Sequence, residues 1–133
     1  MPKIPVGAKG NFNLIVAPEY LANRFKDTML PPVLATPIMI LAMENAALNA
    51  IRSYLGPGES AVGTAVDVRH LAATPVGQKV SAEAEVTGVE GRRIVFAVTA
   101  RDEVEEIGRG THERMVIDLA RLKQRLDAKG NRP

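Results

Sequence analysis

A chain of 133 residues, 46% of them apolar and 24% charged, has the size and composition of one globular domain, which argues against a disordered or fibrous polymer. A net charge of +2, with two Tyr, three Phe and no Trp, offers little to attract or stack on a nucleic acid. Because there is no cysteine, disulfides, a thiol nucleophile and cysteine-based metal sites are excluded, and catalysis has only oxygen and nitrogen groups to work with.

The opening MPKIPVGAKG has no apolar signal core, and the longest apolar run, Val33 to Met43, is broken by Thr36 and falls short of the roughly 20 residues that span a bilayer. The expectation is a cytoplasmic protein without membrane contact. No repeat, linker or low-complexity segment divides the sequence, so residues 1–133 read as a single unit. The first predicted strand is Asn11 to Ala17, where Phe12, Leu14 and Val16 alternate with Asn11, Asn13 and Ile15, and Pro18 ends it. In Glu19 to Pro32, Tyr20, Leu21 and Phe25 suit a short helix. Pro31-Pro32 then forces an extended entry into the next element, so that the segment reads as a lid.

Pro32 to Leu55, PVLATPIMILAMENAALNAIRSYL, is predicted to be a long helix, with Thr36 as N-cap and Pro37 in the first turn. Gly56-Pro57-Gly58 stops it. At 100° per residue Ile40, Leu41, Ala47, Leu48 and Ile51 surround Glu44, placing a carboxylate among apolar neighbours. Such a group needs either a bonded structural partner or a function.

Four strands come next. Val62 to His70 sets Val62, Thr64, Val66, Val68 and His70 on one face, so His70 ends an apolar row. Gln78 to Thr87 turns Val80, Ala82, Ala84 and Val86 inward, and after a turn at Gly88 to Gly91 the strand Arg92 to Arg101 does the same with Ile94, Phe96, Val98 and Ala100. The last strand, Val104 to Asp118, puts Gly108, Gly110, His112 and Arg114 on one side; its paired glycines leave backbone open either to a ligand or to a packed helix. A final helix carries Leu119, Leu122 and Leu126 on one stripe, and its tail is basic, with Arg121, Lys123, Arg125, Lys129 and Arg132 against Asp127 alone.

One strand, one apolar helix and four antiparallel strands in meander order predict an α+β fold, a five-stranded sheet wrapped around the helix. The helix is apolar nearly all round in its first two turns, more than one curved sheet covers, so a homodimer or higher homo-oligomer is expected. Glu44 and His70, both inward and both able to move protons, are the first candidates for a site. Thr36 either caps the helix or presents a hydroxyl beside its positive dipole end. Residues eight apart on a helix stand about 12 Å apart along its axis. Thr36 and Glu44 of one chain therefore either flank one ligand or meet across two chains. Phosphate loops, dinucleotide fingerprints and a zinc-protease motif after His112-Glu113 are absent, and neither metal nor cofactor is expected.

The stretches VLATPIMILAMENA, PGESAVGTAVDVRHLAATPVGQKV, VEGRRI and EEIGRGTHERMVIDL, within Val33 to Leu122, resemble the hotdog-fold thioesterases, and most closely the fluoroacetyl-CoA thioesterases. The resemblance implies a hotdog fold, a homodimer with two sites at its interface, and acyl-CoA substrates, with coenzyme A entering only as part of the substrate. It also implies a catalytic triad of Thr36, Glu44 and His70, with Gly63 near the acyl thioester and Arg114 at the substrate or beside Glu44. The segment RFKDTMLPPVLAT departs from the pattern, being shorter and holding one phenylalanine, Phe25, where the fluoroacetate enzymes carry two in a longer lid. The likeness therefore implies hydrolysis of a short or small acyl-CoA, with Glu44 as nucleophile or general base, and does not extend to selectivity for fluoroacetate. A non-catalytic acyl-thioester binding module and an enoyl-CoA hydratase on the same fold are the alternatives.

Overall fold

A computed structural model of the chain describes residues 3–131, apart from residue 26 and the side chain of Phe25. Strand β1 (Lys9–Ile15) leads through a 3-10 turn, Pro18–Tyr20, and a short helix α1 (Ala22–Phe25) into the long helix α2 (Thr36–Ile51), which a second 3-10 turn extends over Arg52–Tyr54. Strands β2 (Glu59–His70), β3 (Lys79–Glu90), β4 (Arg93–Arg101) and β5 (Glu106–Asp118) come after it, and α3 (Leu119–Gly130) closes the chain. Among the described residues no helix is long and apolar enough to cross a membrane.

The five strands form one antiparallel sheet in the order β1-β3-β4-β5-β2, and α2 packs against all of them. The expected rows meet the helix: Val80, Ala82, Ala84 and Val86 from β3 and Ile94, Phe96, Val98 and Ala100 from β4 are buried. They face Met39, Ala42, Met43, Ala46, Ala47, Ala50 and Ile51. The row of alanines lets strand and helix backbones close on each other at Gly10. A Cβ on Gly10 would run into the backbone of Ala46 and Ala50, lying 2.7 Å from the Ala50 Cα.

The meander order does not hold for β2, which pairs with β5 at the far edge from β1 and does not pair with β3. Three interstrand spacings, about 14 Å, separate β2 from β3. Residues 71–78 cover that distance, since they extend to about 26 Å. This connection runs past the start of α2, bonded there by Leu34 N to Thr74 O at 2.8 Å, and reaches the other side of the sheet at Val16, whose N–H donates to Gln78 O at 2.9 Å. The crossing carries the end of β2 to the helix N-terminus.

Strand β2 also breaks its expected face. Its register against β5 slips between Gly63 and Ala65, leaving Thr64 as an extra residue. Ala61 and Gly63 therefore share the helix side with Val66, Val68 and His70, opposite Val116, Arg114, His112, Gly110 and Gly108. Val62 turns away and is 39% exposed. The bulge is held from outside, where Thr64 Oγ1 donates to Glu113 Oε2 at 2.5 Å and Arg93 Nε donates to the other oxygen of the same carboxylate.

The helix surface that the sheet leaves uncovered is the one expected. Ile38, Ile40, Glu44 and Leu48 are half-buried, and Leu41 is 43% exposed. The segment before α2 folds back on itself, with Leu21 bridged to Leu34 and Ala35 N donating to Tyr20 O at 2.8 Å. Tyr20 thus belongs to a turn and Leu21 to a bridge. The side chain of Phe25, the one aromatic of the expected lid apart from Tyr20, lies outside the described residues, as does Arg132.

Candidate active site

Thr36 does not cap its helix. The N-cap is Ala35, with φ −73° and ψ 141°, and Thr36 occupies the first helical turn. Its hydroxyl is thereby free to turn sideways, and Oγ1 lies 2.8 Å from His70 Nδ1. The hydroxyl donates when His70 carries its proton on Nε2 and accepts in the other tautomer. His70 Nε2 is buried and has no partner among the described residues. Burial pulls the His70 pKa below 6.5, opposed in part by the backbone at Ala72, so the ring is neutral at pH 7. An open groove of about 320 Å³ runs beside the pair, lined by Val33, Thr36, His70, Leu71, Ala72 and Ala73.

The second cluster forms two turns along α2, where Glu44 faces the bulge of β2. A Cβ on Gly63 would stand 2.7 Å from Glu44 Oε2, 3.2 Å from His112 Cε1 and 3.8 Å from Arg114 Nη1. Only glycine leaves that space open, and the carboxylate and guanidinium both border it. Arg114 is 7% exposed; its Nη2 donates to Ala61 O at 2.6 Å and its Nε has no partner among the described residues. Burial lowers the Arg114 pKa while Glu44 raises it, and the group stays charged.

Glu44, Gly63 and Arg114 therefore come together, as do Thr36 and His70, but the two groups stand apart within one chain. Thr36 and Glu44 are about 12 Å apart by helix rise. His70 pairs with Gly108 and Gly63 with Arg114, six residues along β5, or about 20 Å by strand rise. The glycines of β5 serve packing: a Cβ on Gly108 would lie 2.5 Å from Met39 Sδ, and one on Gly110 would strike the β2 backbone. Among the described residues no group of three or more His, Asp or Glu could hold a metal ion.

The residue that sequence reasoning left out of the site is His112. Its place on the same side of β5 as Arg114 was visible in the strand period, whereas its contacts with β2 depend on the bulge. It is 2% exposed, stacks on Phe96 with ring centroids 5.9 Å apart, and joins Ala65 and Arg114.

The family model of the fluoroacetyl-CoA-specific thioesterases (FlK) matches residues 16–120. The chain belongs to this family. It is 48% identical over 99 residues to the fluoroacetyl-CoA thioesterase of Streptantibioticus cattleyicolor, covering 74% of this chain and 71% of that protein. A solved structure of FlK superposes with a TM-score of 0.89 at 38% identity, over 98% of this chain and 99% of the other. A Thermus thermophilus member of the thioesterase superfamily gives 0.84 at 34% identity, over 96% and 99%. A hot-dog-like protein from Thermanaerovibrio acidaminovorans, 23% identical, shares the fold at 0.86, over 98% and 96%. The five-stranded sheet around α2 is a hotdog fold.

Proposed function

We propose that this FlK-family member hydrolyses small acyl-CoA thioesters, and that Glu44 carries the reaction. The observation that supports this most directly is the space at Gly63, bordered by a carboxylate and a guanidinium and closed by any side chain larger than hydrogen. A thioester carbonyl placed there meets an oxygen nucleophile or base on one side and a fixed positive charge on the other. If Glu44 attacks, the C–S bond breaks as an acyl–carboxylate anhydride forms and coenzyme A leaves as thiolate; water then cleaves the anhydride, with neutral His70 taking a proton from that water and passing it to the thiolate. If Glu44 acts as base, it takes a proton from water as the hydroxide adds to the carbonyl, and the same thiolate leaves. Water is the one co-reactant in both, and coenzyme A enters as part of the substrate.

The separation of Thr36 and His70 from Glu44 supports a homodimer in which Thr36 and His70 of one subunit face Glu44 of the partner subunit. The exposed surface agrees with it: Leu41 on α2 at 43%, and Val62 and Val66 at 39% and 42% on the edge strand β2. An edge of this length invites pairing with a second copy. A cytoplasmic location suits an enzyme whose substrate is an acyl-CoA. Fluoroacetyl-CoA is a candidate among small acyl groups, and the segment that holds Tyr20 and Leu21 against the helix start is the place where acyl choice would be set.

The test is release of free thiol from a panel of acyl-CoAs, acetyl-CoA and fluoroacetyl-CoA included. Turnover of the small members, lost in Glu44→Ala and His70→Ala proteins of unchanged oligomeric state, is the expected result. Binding without turnover would leave an acyl-thioester binding module, and loss of enoyl-CoA absorbance without thiol release a hydratase.

A further inference from the structure

His112 is the one buried ionisable side chain among the described residues that the proposed reaction does not use. The chemistry of its two contacts fixes its state. Nδ1 lies 2.8 Å from Ala65 O, an atom that can only accept, so Nδ1 carries the proton. Nε2 lies 3.3 Å from Arg114 Nη1, which can only donate, so Nε2 must accept. Both bonds exist only in the neutral ring with its proton on Nδ1. Stacking on Phe96 fixes the plane, and the bulge at Thr64 brings the Ala65 carbonyl into position to receive the Nδ1 proton.

Arg114 is thus held by two neutral acceptors, Ala61 O through Nη2 and His112 Nε2 through Nη1. It borders the same space as Glu44, yet among the described residues it forms no ion pair within 4.0 Å. A guanidinium released from those acceptors beside a carboxylate would close on it as a two-bond fork, the strongest arrangement open to both. That pairing would occupy the oxygens the reaction needs.

We propose that His112 is a positioning residue: its neutral Nε2, together with Ala61 O, restrains Arg114 from pairing with Glu44, so that the carboxylate stays free to react and the guanidinium stays turned to the space at Gly63. This rests on the hydrolase reading for its consequence in catalysis, and on the two contacts alone for its structural part. Glutamine at this position keeps an acceptor near Nε2, whereas asparagine keeps only a donor near Nδ1.

The experiment compares His112→Gln and His112→Asn in the full-length protein, by thiol release from acetyl-CoA and by crystallography of both variants. In His112→Asn, kcat falls about 100-fold while KM stays within about threefold, the mark of a misplaced reacting group. Its crystal shows Arg114 within ion-pair distance of Glu44. In His112→Gln, Arg114 remains on Ala61 O and kcat returns to within about fivefold of wild type. A His112→Asn crystal with Arg114 still on Ala61 O and apart from Glu44 overturns the inference whatever the rates. So does wild-type turnover in a His112→Asn protein. Failure of the wild-type protein to release thiol sinks the hydrolase reading, and the crystals still decide the restraint.

Discussion

Gly63→Ala tests the site with a single methyl group. The added Cβ would lie 2.7 Å from Glu44 Oε2, and ordinary contact begins at 3.4 Å, so the carboxylate must retreat by about 0.7 Å. It must also yield to a Cβ that stands 3.2 Å from His112 Cε1, a ring held by Phe96 and Ala65. A displacement near 1 Å at a reacting group costs about 100-fold in rate. The atom that must move most is the far end of a flexible side chain, so stability falls by only about 1 kcal/mol, at the low end for overpacking. The assay pairs thiol release with urea unfolding, using Gly88→Ala as control, since a Cβ there meets nothing closer than 3.9 Å. Rates within about threefold of wild type in a folded Gly63→Ala protein would refute the placement of the reaction at this space.

The geometry sets three further outcomes. Gly10→Ala meets helix backbone where no rotamer change helps, and should cost about 3 kcal/mol by urea unfolding; an unchanged midpoint would contradict the close approach of β1 and α2. Thr36→Val removes the hydroxyl 2.8 Å from His70 Nδ1 and should lower kcat about tenfold, the worth of one hydrogen bond, while Thr36→Ser keeps it; equal rates for both would make the contact incidental. The third concerns pH. Burial holds both His70 and His112 below 6.5, so between the folded and unfolded values the unfolded chain binds more protons and stability rises with pH. The stability held by the neutral rings is full above 6.5 and is lost as pH falls through the folded values. Glu113, held low by Thr64 first and then Arg93, and Asp102, where burial is outweighed by the Val104 and Glu105 N–H groups, Thr74 and Arg101 together, start from 4.5 and 3.8 and act only further down. The urea midpoint should therefore drop as pH goes from about 7 to about 5, and a flat midpoint over that range would contradict the burial of the two rings.

Local pattern alone determined much of this protein. The alternation of Val80 to Val86 and of Ile94 to Ala100 gave two core strands, because a side-chain period of two leaves only one face to bury. The apolar circumference of α2 and the carboxylate in it were likewise legible, since helical spacing places Glu44 without reference to any other element. The tertiary structure decided what depends on two distant segments meeting. Local pattern marks Thr36 as a cap, but the crossing of residues 71–78 past the helix start brings His70 to it, and the hydroxyl turns there. Strand β2 lies beside β5 and not β3 for the same reason. The extra residue at Thr64 shifts the face of everything on one side of it, which a period count along β2 alone cannot register. Through that bulge Glu44, His112 and Arg114 come to border one space at Gly63. Sequence supplied the candidate groups; only the crossover and the bulge decide which of them touch.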